Sequence, residues 1–176
     1  ILVVGENPEL IKSAVEVVPQ ERLIKEDKIN LNNHLFILPI LAGDLLTPDA
    51  LAEIAAAFQA APASTMIYAD ELERFGDTIR PTPFFKPDWS PEFALVTNYV
   101  GRAAYRRIGS TLEVLRTGFD LVSLWKITLS YIGSSHDEVF HIPRVLFFTS
   151  SLSRSDVADI APRCLNLLDS HLAHNG

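Results

Sequence analysis

Residues 68–101 read YADELERFGDTIRPTPFFKPDWSPEFALVTNYVG, and their reading decides the fold. The stretch is entered from TMIYAD (65–70), an apolar run that reads as a buried strand. Its end turns acidic, so Asp70 and Glu71 are expected where the strand reaches solvent. A polar turn, ERFGD (73–77), comes next, and then a run rich in proline and aromatic residues around Lys86, Asp88 and Trp89. Proline fixes φ and has no N–H to donate, so FFKPDWSP (84–91) is neither a central strand nor a helix interior. The expectation is an ordered loop held by its aromatic side chains. It delivers the chain into a helix capped by Ser90, with Pro91 at the first helical position. An acidic strand end beside a rigid aromatic loop is the layout of an open α/β ligand site.

Upstream, ILVV (1–4) reads as a buried parallel strand ended by Gly5, and Asn7-Pro8-Glu9 as a helix start. ERLIKEDKINLNNH (21–34) is polar and reads as a short strand with a loop. LFILPILAGD (35–44) is a further buried strand, with Pro39 arguing for an edge or a bulge. A helix starts at Thr47-Pro48-Asp49-Ala50, with Leu51, Ile54, Ala55 and Phe58 at helical spacing. Strand, helix and strand in this order call for parallel neighbours. Downstream, LVSLWKITLSYIG (121–133) reads as a buried helix ended by Gly133. EVFHIPRVLFFTS (138–150) is a strand pair, or one strand interrupted at Pro143. The last segment, 153–176, is a capped helix with Leu165, Leu168 and Leu172 on one face.

The 176 residues suit one domain with its own core, and 48% hydrophobic with 21% charged residues is an ordinary globular balance. A net charge of −7 argues against a nucleic-acid surface. The single Cys164 excludes an intramolecular disulfide framework and reads as a buried structural thiol. No apolar run reaches the length of a membrane span and no signal-peptide pattern is present.

The ordered blocks YADE (68–71), FFKPDWSPEFALVTNYVG (84–101), LAGDLLTPDAL (41–51) and HIPRVLFF (141–148) resemble bacterial glycosyltransferase family 2 domains. Such domains occur in surface-polysaccharide assembly proteins of the O-antigen or rhamnan type. Their patterns run Y-S-D-E-D, F-K-P-D-W-S-P-D, N-Y-I-G and H-I-P-R-V-L-Y-H-W-R. The resemblance implies an α/β fold of the GT-A, nucleotide-diphospho-sugar transferase type, with a mixed, mostly parallel sheet flanked by helices. It also implies that residues 1–176 are a single domain of a longer multi-domain chain; the family's first strand and base-cradling loop would lie upstream of residue 1, either cut away or never part of this domain. Its partners would be a nucleotide-sugar or glycan and a neighbouring transferase domain. Its place would be the cytoplasm, up to the inner face of the membrane.

In such enzymes Mn²⁺ or Mg²⁺ holds the sugar nucleotide through strand-end carboxylates, because hard cations prefer oxygen ligands. The family's D-x-D-D falls on Leu41-Ala42-Gly43-Asp44, so only Asp44 is kept, as a metal candidate or a cap of the turn. Asp70 and Glu71 match the first two acids of D-E-D, with Leu72 at the third; Asp70 is the second metal candidate. Asp70, Glu71, Lys86, Asp88, Trp89, Asn98 and Tyr99 are the substrate-binding positions that the resemblance implies. For each, a solvated strand end, a loop anchor or simple packing is the plainer alternative.

An inverting transferase also needs a carboxylate that takes the acceptor hydroxyl's proton as its oxygen attacks the anomeric carbon. The family's Y-D-L-x-L-R falls by spacing on Trp125-Lys126-Ile127-Thr128-Leu129-Ser130, which puts Lys126 where the acid belongs. A second alignment, needing an insertion, places Asp120 there as the candidate base. The family's H-W-R is replaced by Phe148-Thr149-Ser150, while His141 is kept. Framework kept and chemistry depleted is the pattern of a pseudoenzyme: a structural or glycan-binding module. The alternative is an active, metal-dependent inverting transferase.

Overall fold

The computed structural model describes residues 36–41, 44–74, 80–106, 120–133, 138–150 and 154–175. In chain order these form β1 (Leu45–Leu46), α1 (Ala50–Ala60), β2 (Met66–Arg74), β3 (Thr82–Phe84), α2 (Pro91–Val96), β4 (Ala103–Tyr105), α3 (Leu121–Leu129), β5 (Val139–Ser150) and α4 (Arg154–Asn175). The expectations for residues 1–34 lie outside the described residues.

β2 is the centre of the sheet. Along one side it pairs in parallel with β5, from Met66 opposite Val139 to Arg74 opposite Ser150. Its other side is shared by two short antiparallel strands: β4 on Met66–Tyr68 and β3 on Glu71–Glu73. β1 closes the outer edge of β5 in antiparallel register. The result is a mixed α/β sheet whose longest ladder is parallel, flanked by helices and compatible with a GT-A-like fold. Pro83 lies in β3, an edge strand, where a missing N–H breaks no inner ladder.

Alternation along β2 builds two cores. Ile67 and Ala69 face α1, meeting Ala50, Ile54 and Phe58 together with Ile142, Leu146 and Phe147. Met66 and Tyr68 face the other way, into an aromatic layer of Trp89, Tyr99, Tyr105 and Tyr131 with Ile127 of α3. Burying one such large side chain contributes about 1.5–3 kcal/mol. The buried stripe of α1 is Ala50, Ile54 and Phe58; Leu51, expected on it, is exposed. Arg106 fastens the far end of α1, donating to the carbonyls of Phe58 and Ser64 while its guanidinium lies over the Phe58 ring.

Several expectations need correction. The buried strand at 35–44 reduces, among its described residues, to one bridge in which Ile37 exchanges both backbone bonds with Tyr105. Pro39 cannot donate to a ladder, and β1 forms only after it, antiparallel to β5, so α1 does not link two parallel neighbours. β5 is one continuous strand. It accommodates Pro143 and Arg144 where the register shifts beside Ala69, Asp70 and Glu71, as a bulge does. Arg144 thereby reaches Asp49 and Glu53 of the α1 entry. Cys164 is half-buried rather than buried, and burial still pushes its thiol up. On α4, Leu165 and Leu172 are exposed and Leu168 is half-buried. Among the described residues no helix is long and apolar enough to cross a membrane.

Candidate functional site

The largest departure from the sequence reading is at Asp70 and Glu71. They do not end a strand at solvent: β2 runs on to Arg74, and both acids are only 3% exposed between β3 and β5. A buried carboxylate is tolerated only when paired and hydrogen-bonded, and the chain supplies every partner itself. Lys86 Nζ donates to Glu71 Oε1 at 2.6 Å and to the Val100 carbonyl at 2.6 Å. The Arg102 backbone N–H donates to the same Glu71 oxygen, and Thr149 Oγ1 to the other. Asp70 Oδ1 accepts from the Lys86 backbone N–H at 2.9 Å and faces His141 Nε2 at 2.9 Å. Burial pulls the Lys86 ammonium below the usual lysine value, and the Glu71 carboxylate opposes that pull.

Asp44 belongs to the same buried layer. Arg102 grips it bidentately, Nε to Oδ2 and Nη2 to Oδ1, each at 2.8 Å. Asp44 Oδ2 also accepts from the Leu41 N–H. Gly101 makes this geometry possible. Its φ of +60° suits glycine, and a Cβ built there would lie 2.6 Å from Glu71 Oε1. The turn at Gly101 aims the Arg102 N–H at Glu71 while sending the Arg102 side chain to Asp44.

The aromatic loop is ordered as expected. Lys86 and Trp89 point inward, Tyr68 Oη donates to the Pro87 carbonyl at 2.7 Å, and the Ser90 N–H donates to Tyr99 Oη at 2.9 Å. Ser90 then caps α2 through the Phe93 N–H, with Pro91 behind it. His141 links the loop to the network. Its ring stacks on Tyr68 with centroids 4.8 Å apart, with Nε2 on buried Asp70 and Nδ1 3.2 Å from exposed Asp88. Only an imidazolium donates to both carboxylates at once; a neutral ring serves one.

The structure therefore brings Asp44, Asp70, Glu71, Lys86 and Asp88 into one connected set. Trp89 and Tyr99 lie in the adjoining aromatic core, where Trp89 is 3% exposed. Asn98 is half-buried, and its Oδ1 has no hydrogen-bond partner among the described residues. The two base candidates are elsewhere. Asp120 caps α3 by accepting from the Ser123 N–H and hydroxyl, and pairs with Arg163 of α4. Burial raises its pKa, but the Ser123 bonds and the Arg163 charge outweigh that and hold it below the usual carboxylate range. Lys126 is on the exposed side of α3, whereas Trp125 is buried and donates to the Ala94 carbonyl.

Arg102, Thr149 and Gly101 are the members of the set that sequence reasoning missed. One signal was available: two acids inside a strand require buried cations, and Arg102 follows a glycine in an apolar run. Among the described residues no group of three His, Cys, Asp or Glu side chains is placed to hold a metal ion. The oxygens of Asp44 and Glu71 that would face a cation face guanidinium, ammonium, N–H or hydroxyl donors of the chain.

No protein-family model matches the chain. It is 34% identical over 143 residues to the O-antigen biosynthesis protein RfbC of Myxococcus xanthus, a match covering 77% of this chain and 11% of that protein. It is 31% identical over 111 residues to the uncharacterized protein y4gI of Sinorhizobium fredii, covering 59% of this chain and 12% of that protein. The chain thus spans about a tenth of the length of the curated relatives it matches.

Proposed function

We propose that this chain is a glycosyltransferase family 2-like domain of a bacterial polysaccharide-assembly protein. In this reading it no longer performs transfer and serves as a structural or glycan-binding module beside other domains. The similarity to an O-antigen biosynthesis protein supports the setting. The observation that carries the loss of chemistry is the pairing of Asp44 with Arg102 and of Glu71 with Lys86. The ammonium and guanidinium already seated on these carboxylates repel a second cation brought to the same place and leave few lone pairs for it. These residues do not fit a Mn²⁺ or Mg²⁺ site, and we derive no transfer step through one. The capping role of Asp120 and the exposed ammonium of Lys126 are consistent with the same reading.

Calorimetric titration with UDP and TDP, with and without Mn²⁺, tests it. The expected result is no binding by protein whose circular dichroism shows it folded. Metal-dependent binding in the micromolar range overturns the reading in favour of an active inverting transferase, with Asp44, Asp70 and Glu71 on the metal and Asp120 as base.

A further inference from the structure

Helix α4 carries two apolar stripes, and the domain covers only one of them. The half-buried positions Cys164, Leu167, Leu168 and His171 follow the spacing of one helix face, and α4 packs against α3, where Arg163 reaches Asp120. Ala161, Leu165, Leu168 and Leu172 form the second stripe, in steps of four, three and four residues. At 3.6 residues per turn its centre lies about 80° round the helix from the first. Leu165 is 64% exposed and Leu172 51%, and Ala161 is exposed as well, so only the shared Leu168 is partly covered. These steps are those of a seam between two packed helices, whereas the outward face of a helix packed on one side only is polar. Pro162 interrupts the backbone ladder before Leu165, so the three leucines share one unbroken stretch of helix.

We infer that this stripe is a self-association surface, on which α4 of a second copy of the chain packs antiparallel. The stripe is self-complementary in that direction. With Leu165 of one copy opposite Leu168 of the other, symmetry forms the reverse pair, and each Leu172 falls opposite a small Ala161. Leucine meets leucine in the middle and alanine at the ends, so the layers fill without overpacking. Antiparallel helices also set each dipole against the opposite end of the other. Charge favours the same face. The chain carries −7 overall, so two copies repel over most of their surfaces. Along residues 161–175 the only Asp, Glu, Lys or Arg residues are Asp169 and Arg163, and Arg163 is already on Asp120. In the antiparallel register each Asp169 falls beside Pro162 of the other copy, not beside its twin. A membrane surface fits less well, because an interfacial helix flanks its apolar face with lysine and arginine. A single helix pair buries less than the roughly 1,200 Å² at which standard interfaces begin, so the dimer is weak and concentration-dependent. The inference holds whether or not the chain transfers sugar.

The test is analytical ultracentrifugation of the full chain from about 5 to 500 µM, the range in which a weak contact of this size shows. The mass is expected to rise from one copy towards two. Leu165→Asp and Leu172→Asp should each weaken the association at least about tenfold. Both positions are exposed, so circular dichroism and thermal midpoints should show these variants folded like the native chain. Direction is read by oxidative cross-linking of Ala161→Cys mixed with Leu172→Cys, each in a Cys164→Ser background. The mixed dimer should form in preference to either self-linked one. A chain that stays monomeric to the top of the range overturns the inference and leaves the stripe to a different protein or domain. Association unchanged in folded Leu165→Asp overturns it too, as does preferential self-linking of Leu172→Cys, the mark of a parallel pair. A monomer that instead sediments with anionic phosphatidylglycerol vesicles overturns it in favour of a membrane contact.

Discussion

Glu71 of β2 and Asp120 at the start of α3 are both acids held by a cation of the same chain, and they teach opposite lessons. Glu71 is 3% exposed, and its partners come from the loop before α2, the turn before β4 and the far end of β5. Asp120 is about one-third exposed at its side chain and finds its cap partner Ser123 three residues away. A buried charge depends on long-range geometry, so removing one partner leaves the other stranded. A surface cap is local, and losing it costs what a helix end costs.

The sharpest way to break that contrast is Lys86→Met. Leaving Glu71 buried without its ammonium should lower stability by about 3–5 kcal/mol, read as a shift of the urea midpoint. A change below 1 kcal/mol, on the same scale, would mean that Glu71 escapes to water or takes up a proton at little cost. Next comes Gly101→Ala. A non-glycine residue at this φ costs about 1–2 kcal/mol, and the new Cβ must also displace Glu71. Combining it with Glu71→Gln, which keeps the shape, should leave that loss nearly unchanged, whereas Glu71→Ala should relieve part of it; equal losses in both would exclude the carboxylate clash.

The smallest effect belongs to the local acid. Asp120→Ala should cost about 0.5–2 kcal/mol, the range for losing an N-cap. Its pH dependence follows from its lowered pKa. An acid whose folded value lies below its ordinary 3.8 contributes stability that is fully present above that pH and is lost as pH falls through the folded value. The stability difference between the native chain and Asp120→Ala should therefore be constant near neutrality and shrink below about pH 4. A difference that persists unchanged at pH 2, on this linkage, would assign the loss to the helix backbone rather than the charge.

Features set by local chemistry were legible in the sequence. Ser90 and Pro91 announced the α2 start and the prolines announced the loop; Gly133, expected to end α3, instead lies at φ +93° at the end of turns that follow the helix's last residue, Leu129. Helix α1 was legible too, though the stripe is offset because Ala50 rather than Leu51 faces the sheet. The acids were misread because an acid after an apolar run looks the same whether the strand ends or carries on. What decides it is Lys86, fifteen positions away, together with Thr149, seventy-eight away. At Pro143 the sequence left a strand pair and one interrupted strand both open, and the second is close to what forms: a bulge lets the strand keep its proline, and no residue near it in sequence reports the partner strand's register. For Trp89 and Asp88 the resemblance implied substrate binding alike, but only the fold separates the buried member of the pair from the exposed one.

Lys86 has one more consequence. Its ammonium sits among oxygens of Glu71 and Val100, as a small bound cation does, but it is joined to the backbone. A tethered cation has no dissociation constant and is never lost to dilution. A chelator cannot strip it, and a rival ion entering the site must leave the ammonium beside it. The charge balance at the centre of this sheet is thus set when the chain is synthesised and is independent of the metal supply around it.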